Sequence, residues 1–277
     1  MTYRHIEVRR AAGALGAEIG GVNLAGPLGD ETISEIRQSL LDHLVIFFRG
    51  QKLTPQEQLA FAQRFGQPME YPQLKGLPEC PLVTPVIKLE HERVNFGGIW
   101  HSDTTYLERP PMASMLYAVE LPPFGGDTLF ANQYLAYETL SEGLKRVLAG
   151  LTGINSSTKA EASKTREDRL RAAGAERKVL VGEHPVARTH PETGRKALYV
   201  NVGHTAQFKG WTEQESRPLL DFLFRHQVQA EFSCRFRWEP GSLAFWDNRC
   251  AQHYPVNDYQ GFRRVMHRVT LAGDTPR

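Results

Sequence analysis

Short runs of apolar residues recur along this chain at the length of single β-strands. Leu44 to Phe48 is apolar throughout, which predicts a strand buried on both faces. Elsewhere apolar residues alternate with polar ones, as at Ile6 to Arg9, or cluster between turn-forming residues. The segments that predict strands are 6–9, 44–48, 82–89, 113–120, 128–130, 197–201, 231–237, 242–246, 252–254 and 263–271.

Apolar residues at helical spacing predict helices between these strands. Asp30 is predicted to cap the first helix, and Thr54, followed by Pro55, is predicted to cap the second. The helical segments are 30–43, 54–66, 132–149 and 212–227. Strands toward both ends of the chain, with helices between them, predict one domain over residues 1–277 that is mainly β. The expected core is a double-stranded β-helix (jelly roll) with helical insertions.

One stretch departs from this pattern. Residues 156–178 are rich in charged side chains, a composition typical of a mobile excursion and not of a core. Two interpretations stay open for the insertion, which we place at 156–183. It is either a lid over a substrate pocket or a surface loop.

The composition is typical of a globular protein and argues against several other classes. Hydrophobic residues make up 41% and charged residues 23%, as in ordinary globular proteins, and the net charge of +2 is too small to indicate a nucleic-acid partner. We find neither an apolar run of the roughly 20 residues that a membrane span needs nor a signal peptide. The three cysteines cannot form a disulfide framework, which favours reduced thiols and a cytoplasmic location.

Two distant segments carry side chains that bind metals. Trp100-His101-Ser102-Asp103 offers an imidazole and a carboxylate, and His253 offers a second imidazole much later in the chain. Residues two apart on a strand point to the same face, so His101 and Asp103 can both reach one ion. Two histidines and one carboxylate are the ligand set of non-haem Fe(II) oxygenases, and they leave coordination positions open for a 2-oxoacid and O2.

Other interpretations of these residues stay open at this point. A His-x-Asp tripeptide also occurs by chance in surface turns, and a single histidine such as His253 can be a hydrogen-bonded core residue. A zinc hydrolase is a further alternative. Zinc sites more often use three histidines or the motif His-Glu-x-x-His, and neither pattern is found in this chain.

Arginines follow the second histidine. A buried Arg264 could bind the far carboxylate of a 2-oxoacid through two parallel hydrogen bonds. Arg264 and Arg268 lie four residues apart, so both would face the same way on the predicted strand 263–271. The alternative, a solvated basic edge strand, is disfavoured by the apolar residues beside them.

Four motifs together resemble one known family. They are Trp100-His101-Ser102-Asp103, Gly125-Gly126-Asp127-Thr128-Leu129-Phe130-Ala131, Trp246-Asp247-Asn248-Arg249 with Gln252-His253-Tyr254, and Arg263-Arg264-Val265-Met266-His267-Arg268. Their order and spacing resemble the taurine dioxygenase (TauD/TfdA) family of Fe(II)/2-oxoglutarate-dependent dioxygenases across nearly the whole chain.

The resemblance implies roles for individual residues. His101, Asp103 and His253 match the iron ligands of the family. Thr128 matches a hydroxyl that binds 2-oxoglutarate, and Arg264 matches the arginine that pairs with its distal carboxylate. In the same way, Arg268 matches the arginine that binds the anionic head of the primary substrate.

Two positions depart from the taurine-using members of the family. Those members have an asparagine four residues before the first iron histidine, where this chain has Gly97. They have a phenylalanine after an Asn-x-Gly segment, where this chain has His204. The resemblance places both positions in the wall of the substrate pocket. A smaller wall and a more polar one predict a substrate other than taurine.

The function implied is that of a dioxygenase using Fe(II), 2-oxoglutarate and O2. It would hydroxylate a small anionic molecule, such as a sulfonate, sulfate ester or carboxylate, and release succinate and CO2. A desaturase or oxidative-rearrangement enzyme on the same scaffold is the alternative within enzymes, and a non-catalytic jelly roll that binds a metal or 2-oxoacid is the alternative outside them. The expected partner is a small-molecule substrate, with no nucleic acid and no membrane. By analogy with the family, the protein is expected to form a homodimer or homotetramer.

Overall fold

The computed structural model describes residues 3–72, 74–159 and 179–277. Within those ranges the strands of the first half are β1 (Glu7–Arg10), β2 (Ala17–Gly20), β3 (Val45–Phe48), β4 (Pro68–Met69), β5 (Val83–Lys88), β6 (Ala113–Glu120), β7 (Thr128–Asn132) and β8 (Thr152–Ser156). The strands that follow are β9 (Val181–Pro185), β10 (Ala187–Thr189), β11 (Lys196–Leu198), β12 (Thr205–Phe208), β13 (Ser233–Phe236), β14 (Leu243–Asp247), β15 (Ala251–Pro255) and β16 (Arg264–Leu271). The helices are α1 (Asp30–His43), α2 (Pro55–Gln63), α3 (Gln133–Glu138), α4 (Glu142–Leu148) and α5 (Glu213–His226).

A large sheet and a small sheet face each other across the core. The large sheet has the order β1-β2-β3-β14-β6-β16-β4, and β5 also pairs with β16. The small sheet has the order β13-β7-β15. Its pairs are antiparallel, as are those of the large sheet except β2 with β3. This is the predicted mainly β jelly roll with helices inserted between strands, so the predicted fold class is confirmed.

The strand β3 is buried on both faces of the large sheet. Its residues alternate between two apolar clusters: Ile46 and Phe48 pack with α1 and α2 on the outer face, whereas Val45 and Phe47 pack against the small sheet. All four side chains of β3 are almost fully buried. The continuous apolar run therefore forms a strand that is buried on both faces, as the sequence predicts.

The helix caps are partly as predicted. Thr54 forms a capping box with Glu57 at the start of α2, and Pro55 occupies the first turn. Asp30 is not the N-cap of α1, because Gly29 holds that position and Asp30 lies inside the first turn. A carboxylate in the first turn still interacts favourably with the helix dipole, which explains why an acidic residue stands there.

Two smaller sheets extend the fold away from the core. They have the orders β12-β8-β9 and β10-β11, and a third apolar cluster joins them to α3 and α5. The strand predicted at 197–201 is shorter than expected, since β11 ends at Leu198. Within the described ranges, no helix is both long and apolar enough to cross a bilayer.

Most of the predicted lid, 156–183, lies outside the described residues, which stop at 159 and resume at 179. The segments on either side are paired, because β8 and β9 form an antiparallel ladder with Ser156 opposite Val181. The insertion therefore leaves and rejoins the fold at one end of the β8–β9 pair. That it acts as a lid stays a prediction.

Phe47 joins the two sheets of the core, so its removal should be costly. Its ring stacks on Phe236 with centroids 4.0 Å apart, and it is 1% exposed. We expect Phe47→Ala to lower the free energy of unfolding by about 3–5 kcal/mol, measured by urea titration. Phe124→Ala is the matched control, because Phe124 is 57% exposed, and it should change the value by no more than about 0.5 kcal/mol. Equal losses in both variants would contradict this account of the core.

Candidate functional site

Backbone pairing brings the two distant histidines together. His101 donates its N–H to the carbonyl of His253 at 3.1 Å, and His253 donates its N–H to the carbonyl of His101 at 2.9 Å. The ring centroids lie 4.2 Å apart. The segment at His101 thus adds an isolated bridge to β15, at the edge of the small sheet.

Asp103 completes the cluster, but not in the way that the sequence predicts. We predicted that His101 and Asp103 share one face of a strand, whereas residues 103–106 form a turn. Thr104, directly after the aspartate, has a φ of 44°. The carboxylate therefore reaches the histidines because the chain bends there, and strand alternation is not the cause.

The donor atoms of the three residues converge on one buried point. Asp103 Oδ1 lies 3.8 Å from His101 Nε2 and 4.0 Å from His253 Nε2. The three ligand atoms all fall within 4.8 Å of one another, and all three residues are buried. His101 donates its Nδ1–H to the carbonyl of Ile99 at 2.7 Å, which leaves the Nε2 lone pair directed at the cluster. This donor set fits a divalent metal ion of the first transition row.

The protonation states suit metal binding as well. Burial lowers the pKa of His101 and, more strongly, that of His253, so both imidazoles are neutral ligands. Burial alone would raise the pKa of Asp103, but the nearby Arg268 guanidinium and the Ser114 hydroxyl hold it well below its ordinary value. Asp103 is therefore a carboxylate anion in the folded protein.

The cluster opens onto a cavity in the centre of the jelly roll. The residues that line it are Val86, Phe96, His101, Leu116, Thr128, Phe130, Trp238, Trp246, His253, Pro255, Arg264 and Arg268. Five of the residues predicted to form the site therefore face one space. Apolar side chains make up most of the remaining wall.

Arg264 and Thr128 belong to one part of this wall. Arg264 is buried, and within the described ranges its Nε and Nη2 have no hydrogen-bond partner. Its guanidinium lies 5.6 Å from the ring of Trp238, and Trp238 donates its Nε1–H to the Thr128 hydroxyl at 3.0 Å. A buried guanidinium with two N–H groups that lack a hydrogen-bond partner is expected where a protein binds an anion. No pattern in the sequence singles out Trp238.

Arg268 lies beside the metal-binding cluster. Its Nη1 donates to Asp103 Oδ1 at 3.2 Å, and its guanidinium stands 4.6 Å from the ring centre of Tyr71 and 5.6 Å from that of Phe96. Burial alone would lower the pKa of Arg268, but Asp103 raises it, so the guanidinium stays charged. The two arginines of β16 thus present separate positive charges to one cavity.

Gly97 and His204 both lie next to His101 and do not line the cavity itself. Gly97 has a φ of 70°, and a Cβ there would come within 2.9 Å of His101 Cε1. The ring of His204 lies 6.1 Å from that of His101 and 5.0 Å from that of Tyr106. The glycine is therefore needed for close approach to the imidazole, and it does not simply leave more room for a substrate.

A second cluster of potential ligands, His190, Asp247 and Cys250, lies away from the first. Both oxygens of Asp247 are already hydrogen-bonded, to the backbone N–H and guanidinium of Arg249 and to His190 Nε2. His190 Nδ1 accepts from the backbone N–H groups of residues 192 and 193. With both ring nitrogens engaged, His190 has no lone pair for a metal, and the cluster is structural. Cys250 is buried with a raised thiol pKa, as expected of a cysteine that packs in a core.

Comparisons with known proteins agree with this geometry. The model of the family described as "Taurine catabolism dioxygenase TauD, TfdA family" matches residues 7–270. A sulfate ester dioxygenase of Pseudomonas putida, described as alpha-ketoglutarate-dependent, is 37% identical over 98% of this chain and 91% of its own. An alkylsulfatase of Acinetobacter baylyi is 35% identical over 98% of this chain and 86% of its own.

A solved structure is similar as well. It is the crystal structure of a putative alpha-ketoglutarate-dependent taurine dioxygenase from Burkholderia xenovorans, which is 38% identical to this chain. The alignment has a TM-score of 0.85 and covers 98% of this chain and 94% of the other. The likeness therefore extends over the whole jelly roll, including the strands that carry the buried histidines and arginines.

The structural role of the second cluster can be tested at Asp247. Asp247→Asn leaves the buried Arg249 without its closest carboxylate, so we expect the free energy of unfolding to fall by about 3 kcal/mol. Metal stoichiometry, measured on the folded variant, should not change. Asp221→Asn is the matched control, since Asp221 is a half-exposed partner of Arg217 and its loss should cost no more than about 0.5 kcal/mol. Loss of metal from the Asp247 variant without loss of stability would identify a metal site instead.

Proposed function

Because the chain belongs to the taurine catabolism dioxygenase TauD/TfdA family, we propose that its cavity binds a small alkyl sulfate ester and that the enzyme oxidises the carbon bearing the ester oxygen. The protein is a 2-oxoglutarate-dependent dioxygenase that needs Fe(II), 2-oxoglutarate and O2. The observation that carries the proposal is a metal-binding cluster at the centre of an apolar cavity that contains two separate buried arginines.

The metal would be held by His101 Nε2, Asp103 Oδ1 and His253 Nε2, the three atoms that converge in the structure. Bound Fe(II) supplies O2 activation, coupled to the conversion of 2-oxoglutarate to succinate and CO2. The protein contributes positioning and the exclusion of water around these groups. The neutral imidazoles and the ionised carboxylate are already in the protonation states that ligation requires.

Arg264 and Thr128 would bind the distal carboxylate of 2-oxoglutarate. The unpartnered Nε and Nη2 of Arg264 can form two parallel hydrogen bonds to a carboxylate. Burial lowers the pKa of this guanidinium, so an anion that neutralises it is strongly favoured. The hydroxyl of Thr128 accepts from Trp238 and can therefore donate its own proton to the same carboxylate.

Arg268 would bind the sulfate group of the substrate. Its position next to Asp103 brings a bound anion close to the metal, so the carbon attached to the ester oxygen is held near the reacting centre. The apolar wall formed by Val86, Phe96 and Leu116 suits an alkyl chain. Gly97 and His204 do not line the cavity, so they would influence the substrate site through the position of His101, which both lie against.

The expected products follow from the chemistry of the ester. One oxygen atom of O2 enters succinate and the other replaces a C–H bond with a C–OH bond. The new hydroxyl and the sulfate ester then share one carbon, so the C–O bond to sulfate breaks. Sulfate and a proton leave, and an aldehyde remains. Two of the similar proteins have names that refer to sulfate esters, and this favours the ester over a sulfonate or a carboxylate.

Succinate formation tests the proposed substrate class. Purified protein with Fe(II), ascorbate and 2-oxoglutarate is incubated with matched linear alkyl sulfates, alkyl sulfonates and aryloxyacetates. We expect alkyl sulfates to give the highest kcat/KM, with sulfate and aldehyde released in equal amounts to succinate. Higher kcat/KM with sulfonates or aryloxyacetates would overturn the substrate assignment but not the enzyme class. An alkene product, two hydrogens lighter than the substrate, would indicate desaturation.

The ligand assignment predicts the loss of metal. His101→Ala and Asp103→Ala should each abolish turnover because the iron is no longer held, and the bound metal can be measured directly by elemental analysis. His190→Gln is the control, because it removes a histidine of the second cluster. It should retain full metal content. Retention of metal in both alanine variants would contradict the assignment.

The two arginines should affect different kinetic constants. Loss of a charge-assisted hydrogen bond costs roughly 1.5–3 kcal/mol, or about 10- to 150-fold in affinity. We expect Arg264→Met to raise the KM for 2-oxoglutarate by that factor, and Arg268→Met to raise the KM for the sulfate ester. Arg263→Met is the matched control, since Arg263 is half-exposed and pairs with Glu120. An unchanged KM for 2-oxoglutarate in Arg264→Met would show that this arginine has another role.

A further inference from the structure

The segment Trp246-Asp247-Asn248-Arg249 contains residues that the proposed function does not use. Its side chains alternate in direction between two sets of partners. Asp247 and Arg249 form the buried ion pair of the second cluster, with N···O distances down to 2.6 Å. Trp246 and Asn248 point the other way, toward Asp103. The ion pair therefore fixes the turn, and the alternate residues are available to act on the metal-binding carboxylate.

Asn248 connects three parts of the fold by hydrogen bonds. Its Oδ1 accepts from Trp246 Nε1 at 2.9 Å and from the backbone N–H of Asp103 at 3.3 Å. Its Nδ2 donates to Ser114 Oγ at 3.0 Å. Because the indole Nε1 can only donate, the amide atom next to it must be the oxygen. The orientation of the amide group is thus determined by its neighbours.

The same reasoning fixes the hydroxyl of Ser114. Its oxygen accepts from Asn248, so its own proton is free to go to Asp103 Oδ2, which lies 2.8 Å away. Ser114 is fully buried on β6, and no water molecule is needed to complete the arrangement. The result is a one-way chain of donors that runs from Trp246 through Asn248 and Ser114 to a single oxygen of Asp103.

The other oxygen of Asp103 has a different environment. Oδ1 faces Nε2 of both histidines and Nη1 of Arg268, whereas Oδ2 is held by Ser114 on the side of the large sheet. A carboxylate held in this way offers one oxygen to a metal. If Asp103 turned to offer both oxygens, it would give up the hydrogen bond from Ser114.

The backbone at Asp103 needs such support. Thr104 is β-branched and has a φ of 44°, in a region that residues of this kind rarely adopt. It is also buried, and in the described part of the chain its hydroxyl has no hydrogen-bond partner. A residue of this kind does not hold the turn by its own preference, so the surrounding contacts must hold it.

We propose that Ser114 and Asn248 are positioning residues that restrict Asp103 to one-oxygen ligation of the metal. They would thereby keep a coordination position open for 2-oxoglutarate. This inference rests on the proposed metal site and adds residues that act through Asp103. Neither Ser114 nor Asn248 is among the residues that line the cavity.

The test measures binding, not turnover. Mn(II) is titrated into metal-free protein by calorimetry, and 2-oxoglutarate is then titrated into the Mn(II)-loaded protein without O2. We expect Ser114→Ala to raise the dissociation constant for 2-oxoglutarate by about 10- to 100-fold, the usual effect of removing a partner of a metal ligand. Ser114→Thr, which retains the hydroxyl, should restore most of the affinity.

A buried hydroxyl on the neighbouring strand provides the control. Thr270 lies opposite Ser114 in the β6–β16 pair, is 2% exposed, and has no hydrogen-bond partner for its Oγ1 among the described residues. Thr270→Val removes this hydroxyl without touching Asp103. It should leave the dissociation constant for 2-oxoglutarate within about twofold of wild type, whatever it does to the melting temperature.

Asn248→Ala interrupts the same chain of hydrogen bonds one step before Ser114 and should also raise the dissociation constant for 2-oxoglutarate. It replaces Ser114→Ala in the test if that variant does not fold. If the two residues act as one unit, the double variant should lose little more affinity than either single variant. Equal 2-oxoglutarate affinities in Ser114→Ala, Asn248→Ala and Thr270→Val would refute the positioning role. If wild-type protein bound neither Mn(II) nor 2-oxoglutarate, the proposed function itself would fail, and this result is distinct from the others.

Discussion

The negative charge of Asp103, buried in the centre of a jelly roll, is the constraint on which the site depends. An isolated carboxylate in such a place would take up a proton, because burial disfavours its charged form. Arg268 and Ser114 prevent this by lowering its pKa. Arg268 and Ser114 lie on neighbouring strands of the large sheet, whereas the two histidines lie on β15 and on the bridge to it, so the compensated carboxylate meets the histidines only when both sheets are assembled. Folding and the creation of the metal-binding cluster are therefore the same event.

Two groups of buried charges in this fold have different purposes. One contains Asp247, Arg249 and Glu192, and its opposite charges satisfy each other. The other contains Arg264, whose Nε and Nη2 are left without a partner within the described ranges. Buried charges that pair with one another are compatible with a stable fold, whereas a buried donor without a partner destabilises the fold until an anion binds to it. The contrast separates Arg249, a structural charge, from Arg264, a proposed functional one, although both residues are buried.

The sequence predicted the features that depend on local pattern. The run at Leu44 to Phe48 showed a doubly buried strand, and Thr54 with Pro55 showed a helix start, because both signals are contained in a few neighbouring residues. Asp103 was placed on a strand because a two-residue spacing fits one, and the left-handed Thr104 that makes a turn instead has no sequence signature.

Some residues of the candidate site could be predicted from the sequence, and others could not. His101, His253 and Arg264 could be chosen because few side chains bind metals or carboxylates, and the family motifs set their order. Ser114 and Trp238 could not be chosen. A serine in an apolar strand and a tryptophan just after a strand are ordinary, and their importance appears only when the distant Asp103 or Thr128 is brought beside them. Long-range pairing creates this information, so no local pattern contains it.

Arg264 and Arg268 stand on one strand, and this has a consequence for how the enzyme can change. Four residues of extended chain span about 13 Å, so the geometry of the strand fixes the distance between the points from which the two arginine side chains leave the backbone. Sliding β16 by a single residue would turn both side chains to the opposite face of the sheet and would destroy both anion sites together. Variation in substrate size must therefore arise in the loops that close the cavity, such as the segment at Gly97, while the spacing between the proposed cosubstrate arginine and the proposed substrate arginine stays constant.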